Sequence, residues 1–269
     1  MARTVLLIGA GNMGFAMLKG WLDGDDAPSL YVVDPLDANQ SRATQLGAQA
    51  VGSITSLPKD IEVDLTVLAV KPQLVLSVLN DLTQIGISFG TLLSVAAGVT
   101  MASVASAAPD APIIRCMPNT PAAIGQGMMV LVANSSVDDV DRAFATSLMQ
   151  SSGKVAWIED ENLMDAVTAI SGSGPAYVFH MVEALTASAT ALGLPEDVAD
   201  LLAKQTVMGA GMMVASSEES PTQLRKNVTS PNGTTEAALN VLMAGDALEN
   251  LMKSATLAAR DRGVELGKA

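Results

Sequence analysis

The chain has one cysteine, one histidine and very few rings: Cys116, His180, and an aromatic content of 3% in 269 residues. Each shortage excludes something. A lone cysteine cannot form an intrachain disulfide and suits a reducing compartment. A lone histidine rules out a multi-histidine metal site, and no Cys–His spacing suggests zinc, so no metal is expected. A Ser-His-Asp triad would have to run through His180, and no nucleophile motif lies near it. No Gly-x-x-x-x-Gly-Lys-Ser/Thr stretch occurs, which leaves ATP hydrolysis unsupported. Positive charge is scarce too: 15 Lys and Arg against 28 Asp and Glu give a formal charge of −13. That field repels nucleic acid and anionic membrane, so neither is expected as a partner. Any phosphate or carboxylate must be held at short range, by backbone N–H groups, hydroxyls and helix ends.

Charge is missing altogether from Leu82 to Pro109. Gly86, Gly90, Gly98 and many Ser/Thr interrupt that run, so it reads as a buried strand, a turn and a Thr100-capped helix, not a membrane span. At the N-terminus the apolar run Val5–Ile8 breaks at once into Gly and Asn, too short for a signal peptide. A cytoplasmic protein is expected. What is abundant is aliphatic: 49% of residues are hydrophobic and 15 are Met, a composition for irregular helix–helix packing.

The most informative segment is Val5–Ile8 running into Gly9-x-Gly11-x-x-Gly14. Met13, Ala16, Met17, Gly20 and Trp21 then recur at helical spacing. Strand, three glycines and helix in this order form a dinucleotide site: a tight turn, a close approach to the pyrophosphate, and close helix packing. A second strand, Leu30–Val33, ends in Asp34, where such folds place a carboxylate on the adenosine ribose. A glycine turn in some other α/β protein is the competing reading.

Strand and helix alternate through the first part. Further strands are predicted at Leu65–Val70, Leu92–Val95, Ile113–Cys116, Met128–Val132 and Val155–Ile158, with helices at Asp37–Leu46, Gln73–Leu82, Thr100–Ala107 and Val137–Gln150. The fold class is therefore α/β, a Rossmann-type doubly wound sheet, followed by an all-helical domain. The helices of that domain are predicted at Glu161–Ile170, Pro175–Leu192, Pro195–Ala215, Pro221–Asn227, Thr235–Met243 and Ala247–Leu266. The boundary falls at residues 158/159, giving domains 1–158 and 159–269.

Several loops carry polar groups suited to ligands. Ala69-Val70-Lys71-Pro72 leaves a strand with a cation that either steers an anion or is merely solvated. Arg115-Cys-Met-Pro-Asn-Thr-Pro121 is stiff and suits the nicotinamide end of a cofactor, or is a structural turn. In the helical part, Ser171-Gly-Ser-Gly-Pro-Ala-Tyr177 and Val228 to Glu236 expose N–H groups and hydroxyls. Thr234 and Thr235 there serve either an anion or helix capping. Tyr177 to Leu202 holds no lysine, unlike the β-hydroxy-acid dehydrogenases of similar layout. That suits a reaction needing little protein acid–base help, such as hydride transfer to a protonated cyclic imine.

Together, Gly9–Gly14, Val70–Gln73, Arg115–Pro121, Ser171–Tyr177 and Leu224–Thr235 resemble the pyrroline-5-carboxylate reductase family over essentially the whole chain. The resemblance implies reduction of L-1-pyrroline-5-carboxylate to L-proline by NADPH or NADH. It implies a helical dimerisation domain and a homodimer, in many members built into a decamer of five dimers. By motif position, Ser230, Gly233, Thr234 and Thr235 would bind the substrate, with Thr235 nearest the imine nitrogen as the catalytic contact. Gly9, Gly11, Asn12, Met13, Gly14, Asp34, Ala69, Lys71, Pro72 and Asn119 would border the cofactor. Asn232 stands where a glycine is expected; asparagine tolerates left-handed backbone, so the loop is expected to persist. Reduction of another cyclic imine, or nucleotide sensing without turnover, are the alternative readings.

Overall fold

Val5 and Leu7 face one side of strand β1 (Thr4–Ile8) and Leu6 and Ile8 the other, and all four are buried. A strand apolar on both faces needs a helical layer on each. The computed structural model describes residues 3–22 and 27–267, and it provides both layers. The other strands are β2 (Ser29–Val33), β3 (Gln49–Val51), β4 (Leu65–Leu68), β5 (Thr91–Ser94), β6 (Ile113–Met117), β7 (Gly127–Ala133) and β8 (Gly153–Trp157). They form one sheet in the order β3-β2-β1-β4-β5-β6-β7-β8. Every pairing is parallel except β6 with β7.

On one side, α1 (Asn12–Trp21) contributes Met17, Leu18 and Trp21 to the core. The helix α2 (Asp37–Gln45) adds Ala43 to the same layer. On the other, α3 (Val75–Ile85) contributes Val75, Leu79 and Leu82, one helical stripe, and α4 (Met101–Ala107) contributes Val104. Thr100 caps α4, its hydroxyl oxygen accepting the Ser103 N–H at 3.1 Å as the sequence predicts. In α5 (Asp139–Gln150) Ala145, Leu148 and Met149 return to the α1 layer, and Asp138 caps the Asp141 N–H at 2.8 Å. Each fully buried Leu, Val or Met stabilises by about 1.5–3 kcal/mol, so the two layers supply most of what holds this sheet together.

Some details differ from the sequence expectation. The edge strand β3 is not predicted, because three residues with one exposed side chain carry no period. The antiparallel β6–β7 pair arises because Pro118 to Gln126 holds a short 3-10 turn (Thr120–Ile124) and no crossover helix, so the chain doubles back. The predicted helix from Gln73 starts as a 3-10 turn, Pro72–Leu74, before α3. The predicted helix Glu161–Ile170 is a composite of a 3-10 turn (Glu161–Leu163), α6 (Met164–Val167) and a π-helical turn (Thr168–Gly172).

The chain divides into two compact units: residues up to 173 together with those from 259 onward, and residues 174–258. The first contains the sheet. The second is built from α7 (Gly174–Ala191), α8 (Glu196–Ser216), α9 (Pro221–Asn227), α10 (Thr234–Leu242) and the larger part of α11 (Ala247–Leu266). Its interior is thin. No residue of α7 is buried, and in α8 only Ala199 and Ala203 are. Phe179 is 62% exposed, while Leu201, Met212 and Leu251 are each 65% exposed. Large apolar faces left in water mark a surface that another chain covers.

Candidate active site

Only Gly9-Ala10-Gly11 separates β1 from α1. Gly9 has φ +95, and its N–H donates to the Val33 carbonyl at 2.8 Å. A Cβ on Gly9 would sit 2.7 Å from the Ala69 carbonyl oxygen, so the turn lies directly on the chain leaving β4. A Cβ on Gly14 would overlap the Gly9 carbonyl, which is why α1 can begin so close to the turn only with glycine there. Gly11 is the opposite case: a Cβ there would meet nothing within 4 Å, so the residue faces open space. Gly11 precedes α1 and no side chain caps the helix. The N–H groups of Asn12, Met13 and Gly14 are thus the uncapped first turn, where an anion is favoured. This is the geometry a pyrophosphate requires.

A cleft of about 740 Å³ opens over that turn at the carboxyl ends of the strands. Of the cofactor residues expected from sequence, it brings together Gly9, Gly11, Asp34, Ala69 and Lys71. Pro72 directly follows Lys71 and opens the 3-10 turn. Asp34 is 5% exposed. Its Oδ2 accepts the Ala10 N–H at 2.7 Å, and its Oδ1 accepts the Leu36 N–H at 2.9 Å and Asn39 Nδ2 at 3.1 Å. Its carboxylate therefore stiffens the glycine turn as well as lining the cleft. Asn119 lies elsewhere. Its Nδ2 donates to the Ser171 carbonyl and hydroxyl at 3.2 and 3.3 Å, and its Oδ1 accepts the Met128 N–H at 2.9 Å. The amide is spent on protein partners and braces the β6–β7 connection.

Sequence reasoning missed much of the cleft wall, including Leu36, Asn39, Ser53, Ile54, Thr55, Leu74 and Val78. Ser53, Ile54 and Thr55 follow the unpredicted β3, so nothing in the sequence placed them there. Ser53 Oγ bonds Thr55 Oγ1 and Ser56 Oγ, each at 2.9 Å, forming a small hydroxyl cluster.

In the helical unit, Ser230 opens a turn in which the Gly233 N–H donates to its carbonyl at 3.0 Å. Asn232 adopts φ +59, the left-handed conformation asparagine tolerates, and its N–H donates to Glu236 Oε2 at 2.7 Å. Gly233 is the residue before α10 and cannot cap it with a side chain. Thr234 and Thr235 occupy the first turn. Among the described residues, the hydroxyls of Ser230, Thr234 and Thr235 make no hydrogen bond within the protein. Uncapped N–H groups and unengaged hydroxyls converge on one helix start, the donor set a small carboxylate takes.

Over 267 residues the chain is 39% identical to a pyrroline-5-carboxylate reductase of Pseudomonas aeruginosa, covering 98% of this chain and 97% of that one. This chain belongs to the pyrroline-5-carboxylate reductase family. A family model described as pyrroline-5-carboxylate reductase dimerisation matches residues 161–266, and one described as NADP oxidoreductase, coenzyme F420-dependent, matches residues 4–98. A solved reductase of the family from Coxiella burnetii superposes with a TM-score of 0.91 at 34% identity, covering all of both chains. One from Plasmodium falciparum, solved with NADP bound, gives 0.82 at 28% identity over 98% of each chain.

The residues that suggest other chemistry are occupied otherwise. Cys116 is buried in the sheet core, and burial pushes its thiol far above the ordinary range, so it is not a nucleophile. His180 lies on an exposed helix face with Nδ1 2.8 Å from Glu183 Oε2. Among the described residues no three His, Cys, Asp or Glu side chains converge as metal ligands. No described helix is long and apolar enough to cross a membrane.

Proposed function

We propose that this reductase-family chain reduces L-1-pyrroline-5-carboxylate to L-proline with NADPH or NADH. What carries this is that the chain has both an uncapped, glycine-lined helix start in the sheet unit and an uncapped, hydroxyl-lined helix start in the helical unit. The nucleotide supplies a hydride when bound. Gly11, Asn12, Met13 and Gly14 hold its pyrophosphate through backbone N–H groups, on the turn that Gly9 makes, with Ala69, Lys71 and Pro72 along the edge of the cleft and Asp34 at the ribose. Asn119 supports that side of the site by fixing its loop. Ser230, Gly233, Thr234 and Thr235 take the substrate carboxylate and ring, and the Thr235 hydroxyl positions the ring nitrogen.

The substrate brings its own activation. A protonated imine is electrophilic at carbon, so hydride addition leaves a neutral amine and needs no protein acid. The protein's contribution is proximity and orientation. We assign nucleotide binding to residues 1–158 and substrate binding with dimerisation to 159–269. The exposed apolar faces of α7, α8 and α11 support a homodimer as the minimal unit; a decamer of five dimers, as the resemblance implies, would be assembled from it. The single buried cysteine suits a reducing compartment, and we place the enzyme in the cytoplasm. The test is a metal-free assay following nucleotide absorbance with and without pyrroline-5-carboxylate, with proline quantified. Nucleotide binding without imine-dependent oxidation would overturn the proposal.

A further inference from the structure

We infer that the adenosine end of the cleft selects NADH over NADPH, with Asp34 as the discriminating residue; this rests on the nucleotide-binding role proposed above. The 2′-phosphate of NADPH is a phosphate monoester carrying about −1.5 to −2 charges at neutral pH. A site that accepts it needs donors or cations at the end of the second strand, and a carboxylate there favours the bare ribose hydroxyl. Asp34 lines the cleft at that point.

Three features make the carboxylate decisive here. First, it cannot turn aside. Its two oxygens hold the Ala10 N–H, the Leu36 N–H and the Asn39 amide, and the Ala10 bond is buried, so rotation would strand a buried donor. Second, those same bonds take the Leu36 N–H and one hydrogen of the Asn39 amide, so these two donors are turned to Asp34 and away from a phosphate. That wall also carries Leu36, which is apolar and 61% exposed, and the Ser53 and Thr55 hydroxyls. Third, among the described residues no cation other than Lys71 lines the cleft. Lys71 follows β4, with β1 between it and β2. Two strand spacings put its backbone about 10 Å from that of Asp34. Arg42 is close in sequence, but its guanidinium lies over the Phe15 ring, 3.6 Å from the centroid, and it does not line the cleft.

The experiment measures Kd for NADH and NADPH by fluorescence titration of the full-length enzyme without substrate, and kcat/KM for each with pyrroline-5-carboxylate. The unsubstituted enzyme is expected to favour NADH by at least about tenfold, the scale of an uncompensated like-charge contact in a partly desolvated site. Asp34→Asn removes the charge and keeps an acceptor, and should bring the NADH/NADPH ratio towards one. The absolute affinities of that variant also register any loosening of the glycine turn, so the ratio is the readout. Leu36→Arg leaves the Asp34 bonds intact and adds a cation at the rim, and should raise NADPH affinity by about tenfold relative to NADH. A preference for NADPH in the unsubstituted enzyme overturns the inference, as do ratios unmoved by both substitutions. Loss of NADPH use in Arg42→Ala also overturns it, by showing that the guanidinium leaves Phe15 to bind phosphate. Absence of turnover with either nucleotide overturns the proposed activity instead, and the Kd ratio still decides the selectivity.

Discussion

Replacing Asn119 by alanine should destabilise the sheet unit by a calculable amount. Its amide makes three bonds, to the Met128 N–H at 2.9 Å and to the Ser171 carbonyl and hydroxyl at 3.2 and 3.3 Å. A neutral hydrogen bond contributes about 1 kcal/mol net, somewhat more where a partly buried group is left without a partner. The two Ser171 bonds are long and come from a single nitrogen, so the total loss is about 2–3 kcal/mol. For a domain of this size that is a fall in melting temperature of roughly 4–10 °C. Ser171→Ala deletes only the longest of the three bonds and should cost about 0.5–1 kcal/mol. The double variant should match Asn119→Ala within about 0.5 kcal/mol, since both substitutions remove one shared contact. The assay is urea unfolding at fixed protein concentration, because an oligomer's midpoint depends on concentration. Nucleotide affinity should stay within about threefold, because the amide is committed to the protein. Strict additivity of the two substitutions, or unchanged unfolding with lost nucleotide binding, would refute the role of Asn119 as a brace.

Gly9→Ala forces a Cβ against the Ala69 carbonyl at a residue with φ +95, and should abolish measurable nucleotide binding while circular dichroism stays near that of the parent. Thr235→Ala should lower kcat by roughly tenfold or more and leave the nucleotide Kd unchanged if its hydroxyl acts on the substrate as proposed; equal turnover would remove Thr235 from the chemistry. Met212→Asp with Leu251→Asp places charges on two apolar faces exposed in the single chain, and sedimentation should show the assembly dissociating with loss of activity.

The sheet was legible because its strands are apolar on both faces and bounded by turn residues, as in Val5–Ile8 before Gly9 and Leu65–Leu68 before Lys71. Its glycine turn was legible because three glycines at fixed spacing have a steric reason, which the Gly9 and Gly14 contacts bear out. What escaped was short or held by contacts distant in sequence. β3 owes its existence to pairing with β2, not to any period of its own. With β3 hidden, the cleft wall at Ser53–Thr55 was hidden too. Asp34 was readable as a cleft residue from its place after β2, but its bond to the Ala10 N–H spans 24 positions, and no pattern signals it. Asn119 shows the same limit: its polarity and stiff surroundings suggested a ligand contact, whereas its amide is taken by Met128 and Ser171. The apolar residues of α7 and α8 were readable as helices, yet their exposure shows only in the folded chain, where no other described element covers them.

The most direct test of the account follows the hydride itself. The enzyme is given nicotinamide nucleotide deuterated at the transferable C4 position, together with L-1-pyrroline-5-carboxylate, in ordinary water and without added metal. The account requires proline carrying a single deuterium, bound at the former imine carbon, with one nucleotide oxidised per proline formed. Proline without deuterium, or nucleotide oxidation that does not depend on the imine, would contradict it.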